Sequence, residues 1–225
     1  AASDVYKRQK VFPGNERWGQ KQKTYEDVLE ALNKSLDRLE LSYVDLYLIH
    51  SAHADQTRLE QWKALIDLKQ QEYIKFAGVA NWNINHLEEV KQNGLLLPDT
   101  NQIELHPWAQ QPELVSYLRE NSVHIIAYSS LVPLSTWRTK EGENSLKTSE
   151  MDAEGISVDS LFKTLANKYK VKESQLLLQW ALQNKYAVLP KTIKISRLEE
   201  NYNFSFSIEA VSYTHLRAHE TEADL

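Results

Sequence analysis

The chain is expected to be an α/β protein built as a (β/α)8 barrel, incomplete because its first strands are missing. Three observations carry this expectation. Short β-rich runs alternate with helical patterns, and that alternation means parallel strands joined by crossover helices. No Gly-rich turn joins a strand to its helix, so the doubly wound dinucleotide fingerprint is missing. Polar residues gather directly after the strand-like runs, at His50, Asn81, His106, Tyr128–Ser129 and Lys191; barrel enzymes place their sites at these C-terminal strand ends.

In chain order, Thr24 followed by Asp27 reads as a helix start, with the carboxylate near the positive end of the helix dipole. Val28, Leu29, Leu32, Leu36 and Leu39 then recur at helical spacing. Tyr43–Ile49 is β-branched, aromatic and apolar over a strand's length. A helix around Leu59–Leu68 buries Trp62, Leu65 and Ile66, and strand Ile74–Val79 follows. Asn83 opens a helix that Gly94 stops. Strand Thr100–Leu105 leads to a helix with Pro112 in its first turn, where proline's missing N–H is harmless. Strand Val123–Tyr128 precedes a polar loop, Pro133–Gly155. Helices near Ser157–Lys168 and Ser174–Asn184 and a short strand, Ala187–Pro190, come next. The last helix is expected to open at Ser196, with Glu199 completing a capping box. These runs amount to five strands.

The two ends read differently. Asp4–Gln9 can be encoded by GATGTGTATAAGAGACAG, and the reverse complement of that string, read from its third base, encodes Val211–His215. Leu216–Thr221 fits the continuation of the same sequencing adapter. Residues 1–9 and 211–225 are therefore expected to be adapter-derived tails, which do not enter fold reasoning. Residues 10–210 remain as one domain, a partial barrel.

Hydrophobic residues make up 42% and charged residues 25%, enough apolar material for a sizeable core. The net charge of -5 argues against nucleic-acid or anionic-membrane partners. With no cysteine, a disulfide scaffold, a thiolate nucleophile and a Cys-ligated metal are excluded. No apolar run approaches the roughly 20 residues that span a bilayer. Neither a Gly-x-Ser-x-Gly elbow nor a Gly-Lys phosphate loop is present to suggest a hydrolase or an NTPase.

Five motifs then occur in order: Tyr43–His50 (YVDLYLIH), Gly78–Trp82 (GVANW), Asn101–Pro107 (NQIELHP), Ala127–Leu131 (AYSSL), and Pro190–Thr192 with Arg197–Asn201 (PKT, RLEEN). Together they resemble the aldo-keto reductase family, in the branch of small-carbonyl and diketogluconate-type reductases. The resemblance implies NADP(H)-dependent reduction of aldehydes and ketones to alcohols. In that family a tyrosine donates the proton, a lysine paired with an aspartate tunes the tyrosine, and a histidine orients the carbonyl. His50 falls on the family histidine and Lys10 on the family lysine. The family tyrosine and aspartate have no match here, so the chain as written is expected to be inactive. Asn81 and Gln102 match the pair that holds the nicotinamide carboxamide. Tyr128 matches the aromatic residue that stacks on the ring, and Ser129 follows toward the pyrophosphate. Lys191, Thr192 and Arg197 match the grip on the adenosine 2′-phosphate, with Glu200 and Asn201 at the adenine edge. Arg and Lys together suit a dianionic phosphate, so NADP(H) is expected over NAD(H).

Departures from the family pattern are Ser51-Ala52 in place of Trp-Pro, Ala80 in place of serine, and Ser130 and Val132 in place of Pro and Gly. Trp108 and Trp137 are weaker candidates for a pocket lining. His53 and His86 have no partners at metal spacing and read as surface or structural. A monomeric, cytoplasmic protein acting on a small carbonyl compound, without nucleic-acid or membrane partners, completes the expectation. An NADP(H)-binding regulatory subunit without turnover is the alternative.

Overall fold

A computed structural model describes residues 6–134 and 160–218. The chain divides into two compact units, Ala1–Ile103 with Glu113–Ile125, and Glu104–Pro112 with Ile126–Leu225.

The first unit is built on parallel strands β1 (Arg8–Val11), β2 (Val44–Ile49), β3 (Ile74–Ala80) and β4 (Thr100–Glu104, its last residue in the second unit). Their register places Lys10, Leu48, Gly78 and Thr100 in one row. Gly78 allows close approach: a Cβ there would lie 2.5 Å from Leu48 Cδ2. Every residue of β2 is buried, which explains its nearly unbroken apolar run.

Helix α1 (Tyr25–Leu39) starts as expected, with the Thr24 hydroxyl accepting from the Asp27 N–H and the Asp27 carboxylate accepting from the Thr24 N–H. It packs on α2 (Arg58–Gln70), and the Tyr25 hydroxyl donates to Asp67 at 2.8 Å. Helix α3 (Ile84–Gln92) is capped by Asn83, whose backbone N–H donates to His86 Nδ1 at 3.2 Å. His86 is thereby a capping residue. Gly94, at φ 68°, ends that helix with Gly94 N–H to Lys91 O and Leu95 N–H to Val90 O, the paired bonds of a left-handed C-terminal cap. Pro112 begins α4 (Pro112–Glu120).

Strand β5 (His124–Tyr128) runs into the second unit, where Ile126 and Ala127 pair in parallel with Ala187 and Val188 of β6 (Ala187–Val188). Helix α5 (Leu161–Tyr169), capped by Ser160, packs on α6 (Glu173–Gln183). The amides of Gln175, Gln179 and Gln183 donate to backbone carbonyls of Glu200, Phe206 and Ile208, tying down the last turn of α7 (Ile195–Tyr202) and the chain that follows it.

Two details differ from expectation. Strand β1 makes six strands among the described residues rather than five; its four residues gain order from the ladder with β2, not from any periodicity of their own. Helix α7 begins at Ile195 with Lys194 as N-cap and no side-chain cap bond, so Ser196 is already helical. The Thr192 hydroxyl takes the Lys194 N–H at 3.0 Å, and the N-cap falls two residues earlier than expected. Regular structure also occurs within residues 1–9 and 211–225, which fold reasoning left aside. Arg8 and Gln9 lie in β1, and helix α8 (Ala210–Ala218) buries Ser212 and Leu216 in the second unit. There the Tyr213 hydroxyl donates to Trp180 O at 3.1 Å and its ring lies 6.4 Å from that indole. No helix among the described residues is long and apolar enough to cross a membrane.

Candidate active site

The strand ends of the first unit carry four of the expected residues. Lys10 is half-buried on β1, and His50 follows β2 directly, its N–H donating to Val11 O at 2.9 Å. Asn81 closes β3 in the left-handed region at φ 59°, which asparagine tolerates better than most residues. Its N–H donates to Gln102 O at 2.9 Å, so both amide-bearing residues sit at one strand junction. Gln102 is buried, and its Oε1 accepts from the Arg8 guanidinium at 3.2 Å. The neighbouring Asn101 donates from Nδ2 to Trp82 O at 2.7 Å, a structural bond that fixes the β3–α3 turn.

Electrostatics at this edge run in one direction. Partial desolvation lowers the Lys10 pKa, and the Arg8 cation lowers it further. Desolvation also depresses the His50 pKa, with smaller contributions from Lys10 and His53. At pH 7 His50 is therefore a neutral imidazole, one nitrogen a donor and the other an acceptor. The folded state binds this proton more weakly than the unfolded chain does. Protonation thus opposes folding, and the stability from this group falls as pH drops through the unfolded value of about 6.5. In an NMR titration His50 is expected to show a midpoint below 6.5, moved upward by Lys10→Met but not fully restored. An unchanged midpoint in that variant would show that the ammonium does not act on the ring.

In the second unit, Tyr128 ends β5, its carbonyl accepting from Leu105 N–H at 3.3 Å. Ser129 follows at φ 58° and its carbonyl accepts from Val132 N–H. Beyond β6, Lys191, Thr192, Arg197, Glu200 and Asn201 line one cavity of about 400 Å3. Leu131, Leu134, Lys172, Glu173 and Ser174 complete its wall. Among the described residues, Lys191 and Arg197 have no ion-pair partner, whereas Lys172 is paired with Glu200. Lys172 has no sequence signature, because it reaches this cavity from the start of α6.

Other candidates resolve into packing. Trp108 is buried with its ring 5.1 Å from Phe162. Trp137 lies outside the described residues. His106 is buried with Nε2 3.1 Å from Glu104 Oε1, a pairing the sequence did not indicate. No group of three or more metal-ligating side chains occurs among the described residues.

Comparison with known proteins decides the family. The Aldo/keto reductase family profile matches residues 5–220. The chain belongs to the aldo/keto reductase family. It is 32% identical over 206 residues to glyoxal reductase of Bacillus subtilis (strain 168), covering 90% of this chain. It is 31% identical over 204 residues to methylglyoxal reductase DkgA of Yersinia pestis, again covering 90%. The chain spans 66% of the length of each of these relatives. Among solved structures, an aldo/keto reductase from Brucella melitensis superposes with a TM-score of 0.79 at 29% identity, over 98% of this chain and 75% of that one. A Bombyx mori aldo-keto reductase in complex with NADP gives 0.77 at 25% identity, over 95% of this chain and 67% of that one. The family assignment fixes the fold as that of a (β/α)8 barrel enzyme, and carbonyl reduction is the family's chemistry.

Proposed function

We propose that this chain is the nucleotide-gripping and carbonyl-orienting part of an NADP(H)-dependent reductase that converts small aldehydes and ketones to alcohols. The observation that carries the proposal is the cavity lined by Lys191, Arg197 and Thr192, the two cations unpaired with a carboxylate among the described residues. Two cations and a hydroxyl donor suit a phosphate monoester, the group that distinguishes NADP(H) from NAD(H). The relatives named as glyoxal and methylglyoxal reductases and the Bombyx mori complex with NADP support the same choice.

When bound, NADPH supplies the hydride; the residues of this chain hold and orient. Gln102 already accepts from Arg8 through Oε1, which leaves its NH2 to donate to the nicotinamide carboxamide, with Asn81 as its companion. Tyr128 offers its ring face to the nicotinamide and Ser129 its hydroxyl to the pyrophosphate. Lys191, Thr192 and Arg197 take the 2′-phosphate. Glu200, steadied by Lys172, and Asn201 meet the adenine edge. His50, neutral at pH 7, donates its N–H to the substrate carbonyl oxygen and so fixes which face is presented. Lys10 stands in the position that tunes the family's proton donor, but no residue here matches that tyrosine or its aspartate. The chain as written therefore binds nucleotide and does not turn over, and it acts on small carbonyl compounds, as a cytoplasmic monomer, only with those groups supplied.

Fluorescence titration of the full chain is expected to show NADPH binding about 100-fold tighter than NADH, the equivalent of about 2.7 kcal/mol. NADPH oxidation with methylglyoxal should stay at the background rate. Absence of NADPH binding overturns the reading of the cavity. Brisk oxidation overturns the reading that the proton donor is missing.

A further inference from the structure

The turn that follows His50 departs from the family pattern, with Ser51-Ala52 where Trp-Pro is usual. Proline fixes its own φ, whereas alanine leaves the backbone free to turn. Bonds from elsewhere in the first unit hold this turn instead. The Ala52 carbonyl accepts from Arg58 Nη2 at 3.1 Å. Farther along, the Gln22 side chain, on the arm between β1 and α1, donates to Asp55 at 2.7 Å and accepts from the N–H groups of Gln56 and Thr57. Of these bonds the one on Ala52 lies nearest to His50, two residues along the chain.

Arg58 has a fixed place from which to reach that carbonyl. It opens α2, and three residues on the fully buried Gln61 donates to Pro13 O and Lys23 O, joining the helix to the same arm. The other side of the guanidinium, Nη1, donates to Glu89 of α3 at 2.6 Å, and only 11% of the Arg58 side chain is exposed. Helix α3 is anchored in turn by the Asn83–His86 caps and by Asn101 Nδ2 on Trp82 O. A planar fork suits this task, because one rigid plane sets the directions of both its N–H bonds. Glu89 balances the charge, and the bond to Ala52 O is charge-assisted.

A buried ion pair is weak evidence of stabilisation, and the Arg58 Nε–H finds no acceptor among the described residues. What the pair supplies is direction. On the strand side His50 is held by its N–H on Val11 O at 2.9 Å and by the Phe12 ring, met edge-on at 6.3 Å. On the other side the chain leaves through the turn that Arg58 grips. We propose that Arg58 is a positioning residue, its fork holding the Ala52 carbonyl so that the His50 imidazole keeps the place from which it orients a substrate carbonyl. The inference rests on the reading of His50 given above.

The test uses the full chain. Arg58→Met removes both sides of the fork, and Arg58→Lys keeps a cation for Glu89 with one nitrogen in place of two. The NMR contact between the His50 and Phe12 rings is expected to weaken in both variants, with no ligand present. With NADP+ added, isobutyramide is an unreactive stand-in for a small carbonyl compound. Arg58→Met should weaken its binding about tenfold, the equivalent of about 1.4 kcal/mol. His50→Ala should weaken it at least as much, and adding Arg58→Met to His50→Ala should cost nothing further, since residues acting through one contact do not add. A role in stability alone would lower the urea midpoint and leave the ring contact and the affinity of the folded protein unchanged, which overturns the proposal. An equal loss from Arg58→Met in the His50→Ala background overturns it too. Where Arg58→Met does not fold, Arg58→Lys decides on the same readings. Isobutyramide binding that ignores His50→Ala sinks the reading of His50, and the ring contact then decides the role of Arg58 by itself.

Discussion

The double variant Lys191→Ala/Arg197→Ala is expected to weaken NADPH binding about 100-fold while changing NADH binding by less than about threefold. Hydrogen bonds to charged groups contribute about 1.5–3 kcal/mol each. Both side chains are solvent-exposed, so the lower end applies, about tenfold for each cation. The salt dependence provides an internal control. Between 50 and 300 mM salt the parent's NADPH affinity should fall as screening tightens, and the variant's should hardly move. Nucleotide fluorescence titrations at the two salt concentrations check both statements. A variant that lost NADH and NADPH equally would place these cations outside the 2′-phosphate site, and the choice of NADP(H) would fail with it.

Trp62→Ala is expected to produce the largest loss of stability, about 3–5 kcal/mol. Trp62 is 1% exposed on α2, its indole N–H donates to Leu96 O at 2.8 Å, and its ring meets that of Trp82 edge-on at 6.2 Å. Truncation removes the buried ring and leaves a carbonyl without its donor, two separate costs. Because whole domains are stable by only about 5–15 kcal/mol, the variant loses a large share of the total and should unfold at a much lower urea concentration. Trp62→Phe keeps most of the packing and loses the hydrogen bond, so it should fall between the two. Urea unfolding followed by circular dichroism orders the three chains. An alanine variant within about 1 kcal/mol of the parent would show that this cluster is not the core of the first unit.

Elements with their own local signal are legible in the sequence. The Thr24–Asp27 pair predicted the start of α1, and both reciprocal bonds are present. Asn83 and Gly94 marked both ends of α3, and both carry the expected caps. Where a signal was ambiguous, local reading went astray. Ser196 with Glu199 has the letters of a capping box, but the Thr192 hydroxyl competes for the turn and the helix starts at Ile195. Strand β1 carries no periodic signal of its own for a different reason: four residues contain too little pattern, and their order comes from pairing with β2.

The residue types expected to carry the chemistry were readable in their motifs because each motif is contiguous: a histidine closing an apolar strand, and a Pro-Lys-Thr ahead of an arginine-bearing helix. Motifs could not say which side chains remain available. That Gln102 already accepts from Arg8, that Lys172 neutralises Glu200, and that Lys191 and Arg197 lack carboxylate partners among the described residues are facts of packing. The sequence alone determined the strand–helix alternation, the caps at Thr24 and Asn83, and the family, since these rest on neighbours a few residues apart. Only the tertiary structure decided that Gln22 and Gln61 pin the arm bearing Trp18 beside His53, because those bonds join residues some 30 to 50 positions apart. Hydrogen-bonding partners that distant leave no periodic trace along a chain.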